Sequence, residues 1–322
     1  MNITIGEKFL KAETTIKAAW AGGVENRDYG HLHILNEYAG VEFDLPIMGR
    51  LQHGWYGLVK EEHYYKNNLL PTFVWTRKAE DAAKALGWTN YHAIGAPWLY
   101  LLKNLETWGF SANSYPKDIR TTDELWVFSL HSTSMKNDYG VDETDIYEFI
   151  NRAVASPARK KIVLLTEYDY YKYQLLDMKI PPSLSVVSLG PRTGDSSSFA
   201  HLHKLFFLLS NTKKVLVDYP TVLLFYAITI GCEVQWVRNR AYDITYTEVS
   251  NYGNLEILEF MTEDHLKPEL SLNFALKTLG ADQLKTPNEL RHLFHWDRIN
   301  HNFRSRVPVF AANILSLLRN LK

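Results

Sequence analysis

Short apolar segments typical of buried strands alternate with helical segments along most of the chain. The first segment, residues 43–56, contains a strand that ends near His53, and the next two are residues 72–76 and 91–100, of which the last contains a strand that ends at Gly95 and Pro97 and is followed by a helix. Between these two, alanine and leucine at a 3.6-residue spacing predict a helix over residues 77–87. Strands that alternate with helices in this way form parallel sheets with crossover connections. The sequence therefore predicts an α/β fold.

The same alternation restarts after a polar stretch at residues 111–124, which contains a proline and predicts a domain boundary. Five apolar segments separated by helical patterns follow it, at residues 125–131, 161–168, 184–190, 213–220 and 233–239. Two doubly wound, Rossmann-like domains in tandem account for this repetition. We expect residues 1–115 to form the first domain, residues 116–285 the second, and residues 286–322 a helical segment that packs across both.

Charge and cysteine content exclude several classes of protein. The 322 residues carry 35 lysines and arginines against 36 acidic residues, a net charge of -1, which argues against a protein that coats nucleic acid. The single cysteine, Cys232, lies in an apolar run, where we expect a buried side chain in a reducing compartment. The first residues lack the pattern of a secretory signal, and no apolar stretch reaches the roughly 20 residues of a membrane-spanning helix. We expect a cytoplasmic protein.

Residues 286–322 are locally basic, with six lysines and arginines against two acidic residues, and aromatic residues such as Phe294 and Trp296 lie among them. One interpretation is peripheral contact with the surface of the inner membrane. The other, which we prefer, is a terminal helix that packs on the protein with its charges in solvent.

Motifs of several common enzyme classes are missing from the sequence. No G-x-G-x-x-G follows a predicted strand, and no P-loop occurs. Neither a G-x-S-x-G elbow nor an H-E-x-x-H helix is present. Since there is also no Asp-x-Asp pair, we expect no metal and no cofactor, with a nucleotide bound only as substrate.

Candidate functional residues lie where the predicted strands end, the edge at which doubly wound sheets bind ligands. In the first domain His53 is followed by Gly54, whose lack of a side chain gives a substrate room to approach. Histidine suits a general base near neutral pH, although a histidine hydrogen-bonded in a turn fits the same local sequence. His53 is therefore the candidate catalytic residue.

In the second domain, hydroxyl-bearing, imidazole and charged side chains follow successive strands, where phosphate groups and helix starts are usually found. Ordinary capping of loops and helices is the competing explanation for each of these positions, and it is their repetition at successive strand ends that favours a phosphate site. For Glu167 the alternatives are recognition of a ribose or base and a solvated turn. The candidate donor-binding residues are Ser129, His131, Ser132, Thr133, Ser134, Glu167, Gly190, Arg192, Ser196, Ser197, Asp218 and Thr221.

Three of these local patterns occur in an order that resembles GT-B glycosyltransferases. They are His53-Gly54, the turn Ile94-Gly95-Ala96-Pro97, and Asp218-Tyr219-Pro220-Thr221 before an apolar helix. The likeness is to bacterial surface-polysaccharide enzymes such as CDP-glycerol glycerophosphotransferases, capsule sialyltransferases and Kdo transferases, and it covers about residues 45–240. The family's His-Pro after a central strand of the second domain is replaced here by Thr166-Glu167, and its Ser-Ser by Pro220-Thr221.

The resemblance implies two Rossmann-like domains that face a cleft, with His53 as the base, Gly54 and Gly95 beside the substrate, and the nucleotide on the second domain. It implies metal-independent transfer of a sugar from a nucleotide-activated donor, for which a CMP-linked sugar is one option, to a hydroxyl of a bacterial surface glycan or glycolipid. We also expect His131 and Ser132 to bind part of the donor phosphate. A CDP-polyol phosphotransferase, a nucleotide-sugar 2-epimerase and a catalytically silent, GT-B-like glycan-binding protein are the alternatives.

Overall fold

The structure, a computed structural model, describes residues 26–42, 45–54, 70–108, 120–128, 143–176, 178–190, 200–218, 221–237, 261–262, 265–266 and 272–298. Within these ranges the fold is α/β, and its two larger sheets are both parallel. No helix in this part of the chain is long and apolar enough to cross a membrane.

The first sheet has three parallel strands in the order β1-β2-β3. They are β1 (Arg50–Leu51), β2 (Thr72–Val74) and β3 (Tyr91–Ala93). The helices of this unit are α1 (His31–Ala39), α2 (Arg77–Ala85) and α3 (Pro97–Thr107). Helix α2 confirms the predicted helix, and it begins where the Thr76 hydroxyl accepts a hydrogen bond from the backbone N–H of Ala79 at 3.2 Å.

The second sheet has five parallel strands in the order β6-β5-β4-β7-β8. They are β4 (Thr122–Val127), β5 (Lys161–Leu165), β6 (Leu184–Ser188), β7 (Thr212–Val217) and β8 (Glu233–Trp236). The helices are α4 (Glu143–Ala155), α5 (Glu167–Leu175), α6 (His201–Ser210) and α7 (Val222–Thr229). The strand order reverses at β4, and in doubly wound sheets ligands bind at the carboxyl ends of the strands beside such a reversal.

Several predicted strand boundaries in the second unit differ from the structure by a few residues, and two of these differences have a clear local reason. Strand β4 begins at Thr122, inside the predicted linker, because it pairs with β7 from its first residue onward. Strand β5 ends at Leu165, and the residues after it form α5, which the sequence analysis did not predict. Most of the remaining predicted linker, including the predicted domain boundary at residue 115, lies outside the described residues.

The C-terminal part of the described chain contacts helices of both units. It contains a two-stranded antiparallel pair, β9 (Met261–Thr262) and β10 (His265–Leu266), and the helices α8 (Leu272–Thr278) and α9 (Pro287–Leu293). Helix α8 packs on α7, and α9 packs on α1. Arg291 donates a hydrogen bond to the Ala39 carbonyl at 2.8 Å, and Trp296 donates one to the Pro46 carbonyl at 2.9 Å. Residues 286–298 therefore pack on the first unit, and residues 299–322 lie outside the described residues, so the packing of the whole segment across both units stays a prediction.

Of the three hydrophobic clusters among the described residues, the one with the most residues includes side chains from both sheets, and we call it the shared core. Trp98 of α3 stacks on Tyr226 of α7 with ring centroids 4.4 Å apart, and its indole N–H donates to the Thr229 hydroxyl at 2.8 Å. Cys232 is buried, as predicted, with its sulfur 3.5 Å from the Arg120 guanidinium. The ends of the strands in the two units are held together by this shared core.

Candidate active site

A cavity of about 420 Å³ lies where strand ends of the two sheets meet. The first unit contributes His53 and Gly54, just beyond β1, and Tyr29, which precedes α1. The second unit contributes the carboxyl ends of β4, β5 and β6 and the first turns of α5, α6 and α7. The cavity therefore has one wall from each unit.

His53 is held at the cavity by the residue before it. The Gln52 backbone N–H donates to the Phe73 carbonyl at 2.9 Å, which continues the β1 ladder by one residue. The Gln52 side chain accepts from the Trp75 N–H at 3.0 Å and donates to the Gly54 carbonyl at 2.7 Å. Since the indole of Trp75 also donates to the Gln52 carbonyl at 3.1 Å, the backbone on both sides of His53 is fixed.

Three histidines and a tyrosine come together beside the cavity, and we call this group the histidine cluster (Tyr29, His31, His53 and His201). His201 belongs to α6 of the second unit, and the other three residues belong to the first unit. The rings of His31 and His53 are 6.0 Å apart and nearly parallel, with an angle of 10° between them. The ring centroid of Tyr29 lies 5.6 Å from that of His31 and 5.4 Å from that of His201, and the Tyr29 and His201 rings meet edge to face. Tyr29 has φ +58°, a left-handed conformation that costs a non-glycine residue roughly 1 kcal/mol or more.

Burial keeps the imidazoles of His31 and His53 uncharged. It lowers the pKa of His53 to about 4, and the positive charge of Arg50 adds to the effect. Burial also lowers the pKa of His31 well below its ordinary value, with smaller contributions from His53 and His201. At neutral pH His53 is therefore a neutral imidazole that can accept a proton.

The opposite wall is formed by helix starts. Thr166 caps α5: its hydroxyl accepts from the Asp169 N–H at 3.2 Å and donates to the Asp169 carboxylate at 2.6 Å. Thr221 precedes α7 in the same way, but its side chain makes no capping hydrogen bond. The Thr221 hydroxyl and the first backbone N–H groups of α7 can therefore bind an anion placed in the cavity.

The structure brings five of the candidate residues to the cavity and leaves two outside it. The five lining residues are His53, Gly54, Glu167, Gly190 and Thr221. Glu167 lies in the first turn of α5 rather than in a turn between elements.

Gly95 and Asp218 do not line the cavity. At Gly95, φ is +78°, and an added Cβ would lie 2.9 Å from the Gly280 carbonyl, so close packing explains this glycine. Asp218 is buried just beyond β7, where its carbonyl accepts from the Trp236 indole at 3.0 Å.

Eight further candidates lie outside the described residues, and their predicted roles stay predictions. They are Ser129, His131, Ser132, Thr133, Ser134, Arg192, Ser196 and Ser197.

Sequence reasoning missed most of the histidine cluster. His201 was not among the candidate residues, although it starts a helix that follows a strand, the signal that identified Thr221. Tyr29 and His31 flank Gly30 at the start of α1, a helix that the sequence analysis did not predict. Among the residues that the structure describes, no three His, Cys, Asp or Glu side chains are arranged to hold a metal ion.

Comparison with protein families found no family model that matches the chain, and comparison with curated proteins found no match either. The interpretation of the site therefore depends on the geometry of the cavity.

Proposed function

We propose that the protein is a metal-independent GT-B glycosyltransferase. In this proposal the two units are Rossmann-like domains that face a cleft, and a sugar moves from a nucleotide donor to an acceptor hydroxyl of a bacterial surface glycan. One observation carries the proposal: a single cavity has an uncharged imidazole, His53, on one wall and the starts of α5 and α7 on the other.

The wall formed by the second unit suits a nucleotide. It lies at the carboxyl ends of strands beside the reversal of strand order, where doubly wound sheets bind ligands. Helix starts carry partial positive charge and unpaired N–H groups, both of which stabilise phosphate. The carboxylate of Glu167 can accept hydrogen bonds from ribose hydroxyls, and a volume of about 420 Å³ is within the usual range for small-molecule sites.

The wall formed by the first unit suits the acceptor. As the acceptor oxygen forms its bond to the anomeric carbon, His53 takes the hydroxyl proton. The bond from that carbon to the phosphate oxygen breaks, and the nucleotide leaves with the electron pair. The N–H groups at the start of α7 stabilise the negative charge that develops on the phosphate. A pKa of about 4 leaves His53 fully uncharged at neutral pH, and the nearby phosphate charge favours its protonation during transfer.

The first experiment identifies the donor. CMP, CDP, UMP, UDP, GDP and their sugars are added singly, and thermal unfolding is followed. A ligand at 100 times its Kd stabilises the folded state by about 2.7 kcal/mol, so the donor class is expected to stand out. If no nucleotide stabilises the protein, the proposal is wrong.

The second experiment measures transfer with that donor. His53→Ala is expected to lower turnover at least about 100-fold, with folding and nucleotide binding retained, because the base is lost. His203→Ala is the matched control, since His203 lies on α6 but does not line the cavity. Near-normal turnover of the His53 variant would reject the assignment.

A further inference from the structure

His31 is a buried titratable residue that the proposed reaction does not use directly. It is the first residue of α1, with 0% of its surface exposed. Neither of its ring nitrogens has a hydrogen-bond partner among the residues that the structure describes. An unpaired buried polar group costs free energy, and an apolar side chain of similar size would avoid that cost. Stability therefore does not explain a histidine at this position.

The contacts of His31 connect it to the cavity through His53. Its ring lies nearly parallel to that of His53, with centroids 6.0 Å apart. Tyr29, which lines the cavity, contacts the His31 ring with the two ring centroids 5.6 Å apart. His31 itself does not line the cavity, so a bound substrate meets His53 and Tyr29 but not His31.

We propose that His31 is a positioning residue for His53: its uncharged ring covers one face of the His53 ring and holds that ring in the plane presented to the cavity. This inference rests on the proposed function, in which His53 accepts the acceptor proton. Fixing the ring matters because proton transfer needs the nitrogen within hydrogen-bond reach of the hydroxyl.

The charged groups around the His31 and His53 rings disfavour a positive charge on either ring, so the two rings do not carry a proton at the same time. Arg50 of β1 opposes a positive charge on His53, His201 of α6 opposes one on His31, and the Tyr29 ring contacts the rings of both His31 and His201. Glu167, from α5, is the carboxylate that lines the cavity on the other wall. Two imidazolium rings 6.0 Å apart would repel each other, so a proton on His53 requires His31 to remain neutral.

The test compares His31→Phe, which keeps a flat ring, with His31→Leu, which removes it. The first readout is the pH titration of the His53 ring by NMR, with its signal assigned from the loss of that signal in His53→Gln. In the Phe variant we expect a midpoint close to the wild-type value, near 4. In the Leu variant water reaches the exposed face, and the midpoint is expected to rise by about 0.5 or more toward the ordinary value.

The second readout is transfer with the donor identified by thermal unfolding. His31→Leu is expected to lower kcat about tenfold or more with KM changed less than about twofold, and His31→Phe to stay within about threefold of wild type. If His31→Leu does not fold, His31→Met fills a similar volume with a flexible chain and replaces it in both readouts.

An unchanged titration and kcat in the Leu or Met variant would overturn the positioning role, and so would equal defects in the Phe and Leu variants. The titration needs no substrate. Absence of transfer in the wild-type protein would therefore refute the proposed function, whereas an unchanged His53 titration in the Leu variant would refute the role of His31.

Discussion

Gly280 packs so closely on the first sheet that a single added methyl group is expected to displace the chain. It has φ +71°, and a Cβ built on it would lie 1.9 Å from the Trp75 carbonyl oxygen and 3.2 Å from the Gly95 Cα. Both neighbours are backbone atoms just beyond β2 and β3, which cannot move without disturbing the sheet. Gly280→Ala therefore tests whether this contact holds the C-terminal helices on the first unit.

The expected loss follows from what the displacement breaks. The left-handed conformation costs alanine roughly 1 kcal/mol. Moving the segment also breaks the hydrogen bond from the Ala96 N–H to the Leu279 carbonyl, which is 2.8 Å long and contributes about 1 kcal/mol. Partial exposure of the fully buried Leu279 side chain costs about 2 kcal/mol more. We expect Gly280→Ala to lower the free energy of unfolding by about 4 kcal/mol.

Gly87→Ala is the matched control, because Gly87 has a similar φ of +81° but no atom within 4 Å of an added Cβ. It carries only the conformational cost of about 1 kcal/mol. Urea unfolding of both variants, at equal m-value, measures the difference. Equal losses would refute the reasoning, since the two variants share the backbone cost and differ in the close contact.

Three further predictions concern the site and its support. The unfolded state binds a proton at His53 at about pH 6.5 and the folded state only near 4, so the free energy of unfolding is highest above about pH 6.5, falls as the pH drops from 6.5 to 4, and is lower by about 3 kcal/mol below pH 4. Urea unfolding at pH 7.5 and 4.5 should show a smaller fall for His53→Gln than for wild type, and an identical fall would contradict this. Arg120→Ala removes the donors to the buried Thr212 and Ile230 carbonyls and should cost about 3 kcal/mol in thermal unfolding, whereas a loss below about 1 kcal/mol would show that these bonds contribute little. Gln52→Ala releases the backbone around His53 and should lower turnover about tenfold, and unchanged turnover in a folded variant would refute the anchoring role.

The hydrophobic core shared by the two units restricts how far the walls of the cavity can move relative to each other. Trp98 belongs to the first unit, yet its ring stacks on Tyr226, and its indole N–H is bound by Thr229, both from the second. Inter-domain surfaces that are small and polar permit relative motion, whereas large apolar ones restrict it. The buried aromatic contacts at Trp98 therefore favour a cavity whose walls are already in place before a ligand binds.

Local patterns in the sequence were sufficient to predict the α/β class and most element positions. Helix α2 has a regular apolar spacing and a capping threonine, and in β5 four apolar residues follow Lys161 without interruption, so neighbouring residues alone decide these elements. Helix α5 was missed because it has almost no apolar stripe: Asp169 is its only buried residue, and the Thr166 cap starts the helix instead.

Some residues of the candidate site were likewise predicted from local sequence, and others were not. His53, Glu167, Gly190 and Thr221 were predicted because each follows an apolar strand, and parallel strands place their carboxyl ends at one edge. The positions of His31 beside His53 and of His201 beside Tyr29 depended on how two helices distant in sequence pack together. The sequence alone determined which residues stand at strand ends, because the period of apolar residues is a local property. Only the tertiary structure decided which helix starts meet across the cavity, because that depends on the packing of a core shared by both sheets.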